Sequence, residues 1–192
     1  PHRRAYGSEI PPHRTQKSGQ GGVEVSGVEE FAEHIAIKKV SADDAGFLFQ
    51  LMNEPAVMRA LNEVPTAARD WEEAVLAWRE DADEEGYIIF SGEKPIGWFA
   101  VNGLLAGYRT AFLKMAALLP AYQGRHIGRY VLAKIMDDLK SAGIASLALF
   151  TNQDNRRAQR CYASCGFRIV ETLTEEMADH TTVNRYKMEC RL

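Results

Sequence analysis

The sequence predicts an α/β (α+β) fold: a mixed central β-sheet with helices on both faces. Three observations lead there. Between Phe112 and Phe150 a strand-length apolar run, an amphipathic helix and a second, almost continuously apolar run follow one another, the order of two parallel strands joined by a helical crossover. Upstream, two apolar segments flank a Gly-containing turn, which signals a hairpin. Downstream, Phe167 to Thr174 and Val183 to Cys190 read as a closing pair of strands.

The first strand is Ile35-Ala-Ile-Lys-Lys-Val40, which alternates. Ser41 then precedes Ala-Asp-Asp, a helix N-cap with acidic residues in the first turn. That helix places Ala45, Leu48, Leu51 and Met52 on one face and stops before Pro55. A second helical patch runs from Val57 to Asn62, and a third follows Thr66 with Trp71, Val75 and Trp78 on one stripe. Tyr87 to Phe90 and Ile96 to Val101 flank Ser-Gly-Glu-Lys-Pro and form the hairpin. Phe112 to Leu119 is the next strand. Ile127, Val131, Ile135 and Leu139 recur at four-residue spacing, so the chain is helical over 126–142 and Gly143 ends it. Ile144 to Phe150 is the buried parallel partner, reached by a crossover expected to be right-handed. Asn155 caps a short helix that ends at Gly166. In the last strand Tyr186, Met188 and Cys190 face one way and Arg185, Lys187 and Glu189 the other.

A chain of 192 residues with 46% hydrophobic and 26% charged residues is ordinary for one globular domain with an appendage. Residues 1–34 are Pro/Gly-rich and apolar-poor and are expected to be a flexible arm or an artificial remnant; residues 35–192 form the domain. A net charge of −3 points to neither nucleic acid nor an anionic membrane as partner. No apolar run approaches the roughly 20 residues of a membrane span, and the absence of an apolar signal-peptide core points to the cytoplasm. Of the three cysteines, Cys161 and Cys165 lie one helical turn apart. With no further Cys or His cluster to complete a site, they read as small apolar helix residues rather than a redox or metal pair.

The chemistry concentrates between Leu118 and Phe167. A turn with Gly124 and Gly128 follows a strand and opens a helix. A helix start presents unpaired backbone N–H groups and the positive end of a dipole, and so suits a phosphate. The three-glycine dinucleotide pattern and the Gly-Lys-Ser/Thr of a P-loop are both absent. On the glycines alone, a turn and close packing explain the pair equally well. One strand further on, a short helix carries Tyr162. A phenol with reference pKa ~10 is protonated at neutral pH and can donate to a leaving group.

Gln123-Gly-Arg-His-Ile-Gly128, followed by Asn155-x-x-Ala158-x-x-x-Tyr162-x-x-x-Gly166-Phe167, resembles the GNAT superfamily of acyl-CoA-dependent N-acetyltransferases. The resemblance covers Ile35 to the C-terminus in element order and 112–167 in motif detail. It implies the GNAT fold, a sheet with splayed parallel strands, acetyl-CoA as co-substrate, and no metal. The implied partner is a primary amine, either a protein N-terminus or a small molecule; the oligomeric state stays open. By the same resemblance, Gln123 opens the phosphate turn. Backbone N–H groups of Gly124, Arg125, His126, Ile127, Gly128 and Arg129 wrap the pyrophosphate. Ala116, Ala117 and Leu118 offer backbone to the pantetheine arm, Asn155 helps hold that arm, and Tyr162 is the catalytic acid for the departing thiolate. Acetyl-CoA is expected between the 112–119 and 144–150 strands, with the amine attacking directly and no covalent enzyme intermediate. Such an attack makes a tetrahedral oxyanion, for which a backbone N–H near Leu118 is a suitable partner.

Two positions depart from the family pattern. His126 stands where a glycine is usual and is expected to have φ < 0, as a residue of the first helical turn. Phe150 stands where many relatives carry a glutamate base. Glu54 and Glu63 are the alternatives, although each reads as a solvated surface carboxylate. A second function class follows from the missing glutamate: an acyl-CoA-binding sensor or scaffold domain without catalysis. The retained Tyr162 favours the enzyme.

Overall fold

The computed structural model describes residues 34–192. The expected N-terminal arm therefore lies outside the described residues, apart from His34. Strand β1 (Ile35–Lys39) leads into a short 3₁₀ turn at Ala42–Asp44 and helix α1 (Ala45–Met52). Asp44 Oδ2 accepts the Ser41 N–H at 2.7 Å and the Ser41 hydroxyl at 2.8 Å, which fixes the entry. Helix α2 (Pro55–Leu61) starts on a proline, whose missing N–H costs nothing there. Helix α3 (Ala68–Trp78) follows. Strands β2 (Glu84–Ser91) and β3 (Lys94–Asn102) form the expected hairpin around Gly92, which has φ 61°. Next come β4 (Thr110–Leu118), α4 (Ile127–Ser141), β5 (Ser146–Asn152), α5 (Arg156–Ser164), β6 (Arg168–Glu176) and β7 (Thr182–Arg191).

The strands make one seven-stranded sheet in the order β1-β2-β3-β4-β5-β7-β6. Among the described residues only β4 and β5 pair in parallel; the other neighbours are antiparallel. Ile89, Phe99, Val101 and Leu113 pack on one face with Ile127, Val131, Ile135 and Leu139 of α4. Ile88, Trp98, Ala100 and Ala117 pack on the other face with Leu48 and Leu51 of α1 and Val75 of α3. On that side Trp98 stacks on Trp78 (centroids 5.4 Å apart) and meets Trp71 edge-on at 5.6 Å.

The sheet opens in the middle. β4 and β5 pair from Thr110–Ser146 to Leu113–Leu149 and then part. Beyond that point β4 stays with β3 as far as Leu118, and β5 stays with β7 as far as Asn152. A bulge sits at the fork: Ala100 faces Met115 and Val101 faces Leu113, so Lys114 is the extra residue. A bulge bends its strand and increases the local twist. It also reverses the alternation. Ala111 and Leu113 point to the α4 face, whereas Met115 and Ala117 point to the α1 face and Ala116 and Leu118 to the α4 face. The side chains of Ala116 and Leu118 reach the cleft because of that one inserted residue.

Gly97 is required beside the fork. A Cβ there would stand 2.6 Å from the Ala117 carbonyl oxygen and closer still to the Leu118 side chain. Gly97→Ala is therefore expected to cost about 1–3 kcal/mol by overpacking. The check is a lower urea midpoint with an unchanged slope.

Candidate active site

The site begins where β4 ends. The Leu119 N–H donates to the Ile96 carbonyl at 2.8 Å, so Gly97 and Leu118 face each other as a non-hydrogen-bonded pair. The peptide groups of Leu118, and by the same alternation those of Ala116, thus point away from β3 into the fork. Those of Ala117 pair with Trp98. Gln123 braces this end: its Nε2 donates to the Leu118 carbonyl at 2.8 Å, and its Oε1 accepts Arg157 Nη1 from α5 at 2.6 Å.

The turn to α4 follows. Gln123 N–H bonds Pro120 O at 3.2 Å, and the helix ladder starts with Tyr130 N–H to His126 O at 3.0 Å. Between them, the backbone N–H groups from Gly124 to Arg129 have no acceptor among the described residues. Together with the positive end of the α4 dipole they make an electropositive concavity with the chemistry to accept an anion. Gly124 has φ 75° and His126 φ 61°. The expectation of φ < 0 for His126 is corrected: it is the N-cap of α4 and left-handed. The chain reverses into the helix through that conformation, for which glycine carries no Cβ penalty. Histidine pays about 1–2 kcal/mol for it. Its side chain is exposed. Ile127 is buried in the α4 core, and Arg125 is exposed with its guanidinium 5.8 Å from the Tyr122 ring.

These parts surround a cleft of about 660 Å³. Ala116, Ala117, Leu118, Gln123, Gly124, His126, Gly128, Arg129, Asn155 and Tyr162 all line it; Arg125 and Ile127 do not. The second wall is α5 rather than the 144–150 strand, because β5 turns away with β7 after Leu149. Sequence reasoning missed Val57, Ala60 and Leu61 of α2, Phe99 of β3, and Arg157, Arg160 and Cys161 of α5. The two arginines, three apart and just after Asn155, were a legible signal. The α2 residues reach the cleft only through packing.

Helix α5 holds Tyr162 by both of its ends. Asn155 Oδ1 caps the Ala158 N–H at 3.1 Å. At the other end Gly166 (φ 92°) closes a Schellman motif: Phe167 N–H bonds Tyr162 O at 3.1 Å and Gly166 N–H bonds Ala163 O at 3.0 Å. The contact typical of that motif is the Tyr162–Phe167 ring pair, with centroids 5.9 Å apart. The Gly-Phe of the motif thereby orients the tyrosine. Burial, and then the neighbouring Cys161 and Cys165, push the Tyr162 hydroxyl well above its ordinary pKa. It stays protonated throughout the neutral range and is equipped to donate a proton.

Glu54 corrects another expectation. It is not a solvated carboxylate but the N-cap of α2, with Oε2 accepting from Ala56 N–H at 2.8 Å and Val57 N–H at 2.9 Å. Glu63 follows α2 and is partly buried, its N–H bonding the Met58 carbonyl at 3.0 Å. Phe150 lies on β5 under the Arg185 guanidinium, 5.4 Å away. Among the described residues no cluster of three or more His, Cys, Asp and Glu side chains is arranged to hold a metal, and no helix is long and apolar enough to cross a membrane.

A mixed sheet forked between two parallel strands, with a helix N-terminus at the fork and a tyrosine on the following helix, defines the architectural class of the acyl-CoA-dependent transferases. Within that class, the acetyltransferase (GNAT) family model matches residues 48–167, and the chain belongs to this family. Uncharacterized N-acetyltransferases of Mycobacterium tuberculosis and Mycobacterium bovis are 32% identical to it over 87 residues, 41% of this chain and 56% of each relative. The matched region thus spans about half the length of these curated relatives. A spermidine N-acetyltransferase from Vibrio cholerae, in complex with CoA and spermine, superposes with TM-score 0.75 at 19% identity, covering 83% of this chain and 96% of that one. The microcin C7 self-immunity acetyltransferase, in complex with acetyl-CoA and AMP, gives TM-score 0.73 at 15% identity over 83% and 93%. An aminoglycoside acetyltransferase in complex with coenzyme A gives 0.66 at 16% identity over 82% and 94%. These likenesses are likenesses of fold.

Proposed function

We propose that this chain is an N-acetyltransferase that moves an acetyl group from acetyl-CoA to a primary amine by direct attack. The observation that carries the reading is the run of unpaired N–H groups from Gly124 to Arg129, opening onto the same cleft as Tyr162. The pyrophosphate lies on that run, with Arg129, Arg157 and Arg160 adding positive charge at the mouth. The pantetheine amides bond the Ala116 peptide groups and the second lone pair of the Leu118 carbonyl, beside the Gln123 bond. Asn155 serves the arm through Nδ2, since its Oδ1 caps α5. The Leu118 N–H takes the oxyanion that forms on the thioester carbonyl. Tyr162 protonates the leaving thiolate. The acceptor is a small-molecule amine, the class named for the spermidine and aminoglycoside enzymes of the same fold; a protein N-terminus is the competing acceptor. The domain boundary near residue 35 and a cytoplasmic location belong to the same proposal.

Acetyl-CoA is expected to raise the melting temperature, by about 2.7 kcal/mol of added stability at 100 times its dissociation constant. A fragment lacking the pyrophosphate should do far less. No shift at saturating acetyl-CoA would remove the cofactor assignment. Phe150, in place of a carboxylate, favours a second reading, an acyl-CoA-binding sensor or scaffold without turnover. Release of free CoA thiol across an amine panel separates the two: release establishes the enzyme, and binding without release establishes the sensor.

A further inference from the structure

Cys161 and Cys165 occupy a place that their sequence spacing alone does not reveal. Both sulfurs lie against the first turn of α4, the turn that carries the unpaired N–H groups. Cys161 lines the cleft, and its Sγ is 3.7 Å from where a Cβ on Gly128 would stand. Cys165, one turn later, has its Sγ 4.0 Å from the Arg129 carbonyl oxygen. Both thiols are half-buried, whereas Cys190 is buried in the core. The nearby Cys161 thiol, then Ser164 and the Arg129 charge, bring the Cys165 thiol down to about 7 against the opposing effect of burial. The Cys165 neighbour, with burial, pushes the Cys161 thiol up. Of the two, Cys165 is the readier to ionise, with Cys161 the protonated neighbour one turn away.

We propose that Cys161 and Cys165 are a dithiol that exchanges with a low-molecular-weight disulfide and, once closed, distorts the α5 wall of the cofactor cleft. The chemistry balances in two steps. The Cys165 thiolate attacks one sulfur of the small disulfide, forming a mixed disulfide and expelling one small thiolate. Cys161 then attacks Cys165 Sγ, forming the intrachain disulfide and expelling the second small thiolate, which takes up the Cys161 proton. The first small thiolate takes up the proton that Cys165 gave to solvent on ionising, so in all the protein loses two electrons and two protons and the small disulfide becomes two thiols.

Closure must deform α5. Side chains four apart on a helix have Cβ atoms about 5–6 Å apart, whereas a disulfide needs about 3.5–4.5 Å. Cys165 is the C-cap of α5, followed by left-handed Gly166, so the last turn is the part that gives. That turn contains Tyr162 and Cys161, both of which line the cleft, so its movement reshapes the cleft wall. Loss of binding on closure rests on reading the cleft as the acetyl-CoA site; the exchange itself does not.

The test uses the whole chain, treated with oxidised glutathione, acid-quenched, alkylated and digested with trypsin. Cleavage after Arg160 and Arg168 places both cysteines on one peptide and Cys190 on another. The expected result is a 161–168 peptide lighter by two hydrogens, unalkylated and free of glutathione, with Cys190 alkylated. Cys161→Ser should trap glutathione on Cys165. Closure should weaken acetyl-CoA binding at least ~10-fold, about 1.4 kcal/mol, and dithiothreitol should restore it. A doubly alkylated 161–168 peptide after treatment overturns the exchange. Unchanged affinity of the closed form overturns the gating. If the reduced protein does not bind acetyl-CoA either, the reading of the cleft falls, while the peptide masses still decide the exchange.

Discussion

Replacing Tyr162 by phenylalanine is expected to lower kcat by about 10²–10⁴-fold, the usual worth of general-acid assistance, with acetyl-CoA affinity almost unchanged. The structure explains why the substitution is clean. The ring is held by Phe167 and by the Schellman end of α5, both of which phenylalanine keeps. The hydroxyl bonds no protein group among the described residues, so its removal strands no partner. Only the proton is lost, and on the proposed mechanism it matters when the carbon–sulfur bond breaks. The decrease therefore belongs in kcat rather than KM. The measurement is steady-state CoA release with an accepted amine, with melting temperature as the folding control. Full activity in a folded Tyr162→Phe protein would take Tyr162 out of the mechanism and leave thiolate departure to water or another acid.

Gly128→Val is expected to weaken acetyl-CoA binding at least ~10-fold, about 1.4 kcal/mol, in a protein that stays folded. A Cβ at Gly128 would lie 3.7 Å from Cys161 Sγ and 3.8 Å from Leu118 Cδ1, ordinary contact distances. The first carbon is therefore accommodated, and alanine should be mild. The two further carbons of valine extend into the cleft between the β4 end and α5, where Leu118 and Cys161 both line it. Calorimetry giving wild-type affinity for Gly128→Val would show that the residue only packs helix against helix.

Much of this was legible in the chain. Ile127, Val131, Ile135 and Leu139 were spaced for the α4 core and are its buried face. Asn155 and Gly166 announced the two ends of α5, and the structure gives each the hydrogen bonds of a cap. His126 and Glu54 were misread for one reason. Whether a residue at a helix start is left-handed, or turns its carboxylate onto its own helix, depends on how the preceding chain arrives.

The sequence by itself determined the elements, their order, the parallel β4–β5 pairing and the turn–tyrosine motif. Those depend on periodicity, caps and glycines, which act over a few residues and so are written locally. Only the tertiary structure decided that the sheet forks after Leu113 and Leu149, that Lys114 is the bulge redirecting Ala116 and Leu118, and that α2 and α5 rather than β5 wall the cleft. The same holds for the contact of Cys161 and Cys165 with the first turn of α4. Each of these joins segments far apart in the chain through close packing, and packing complementarity is a property of surfaces brought together by folding.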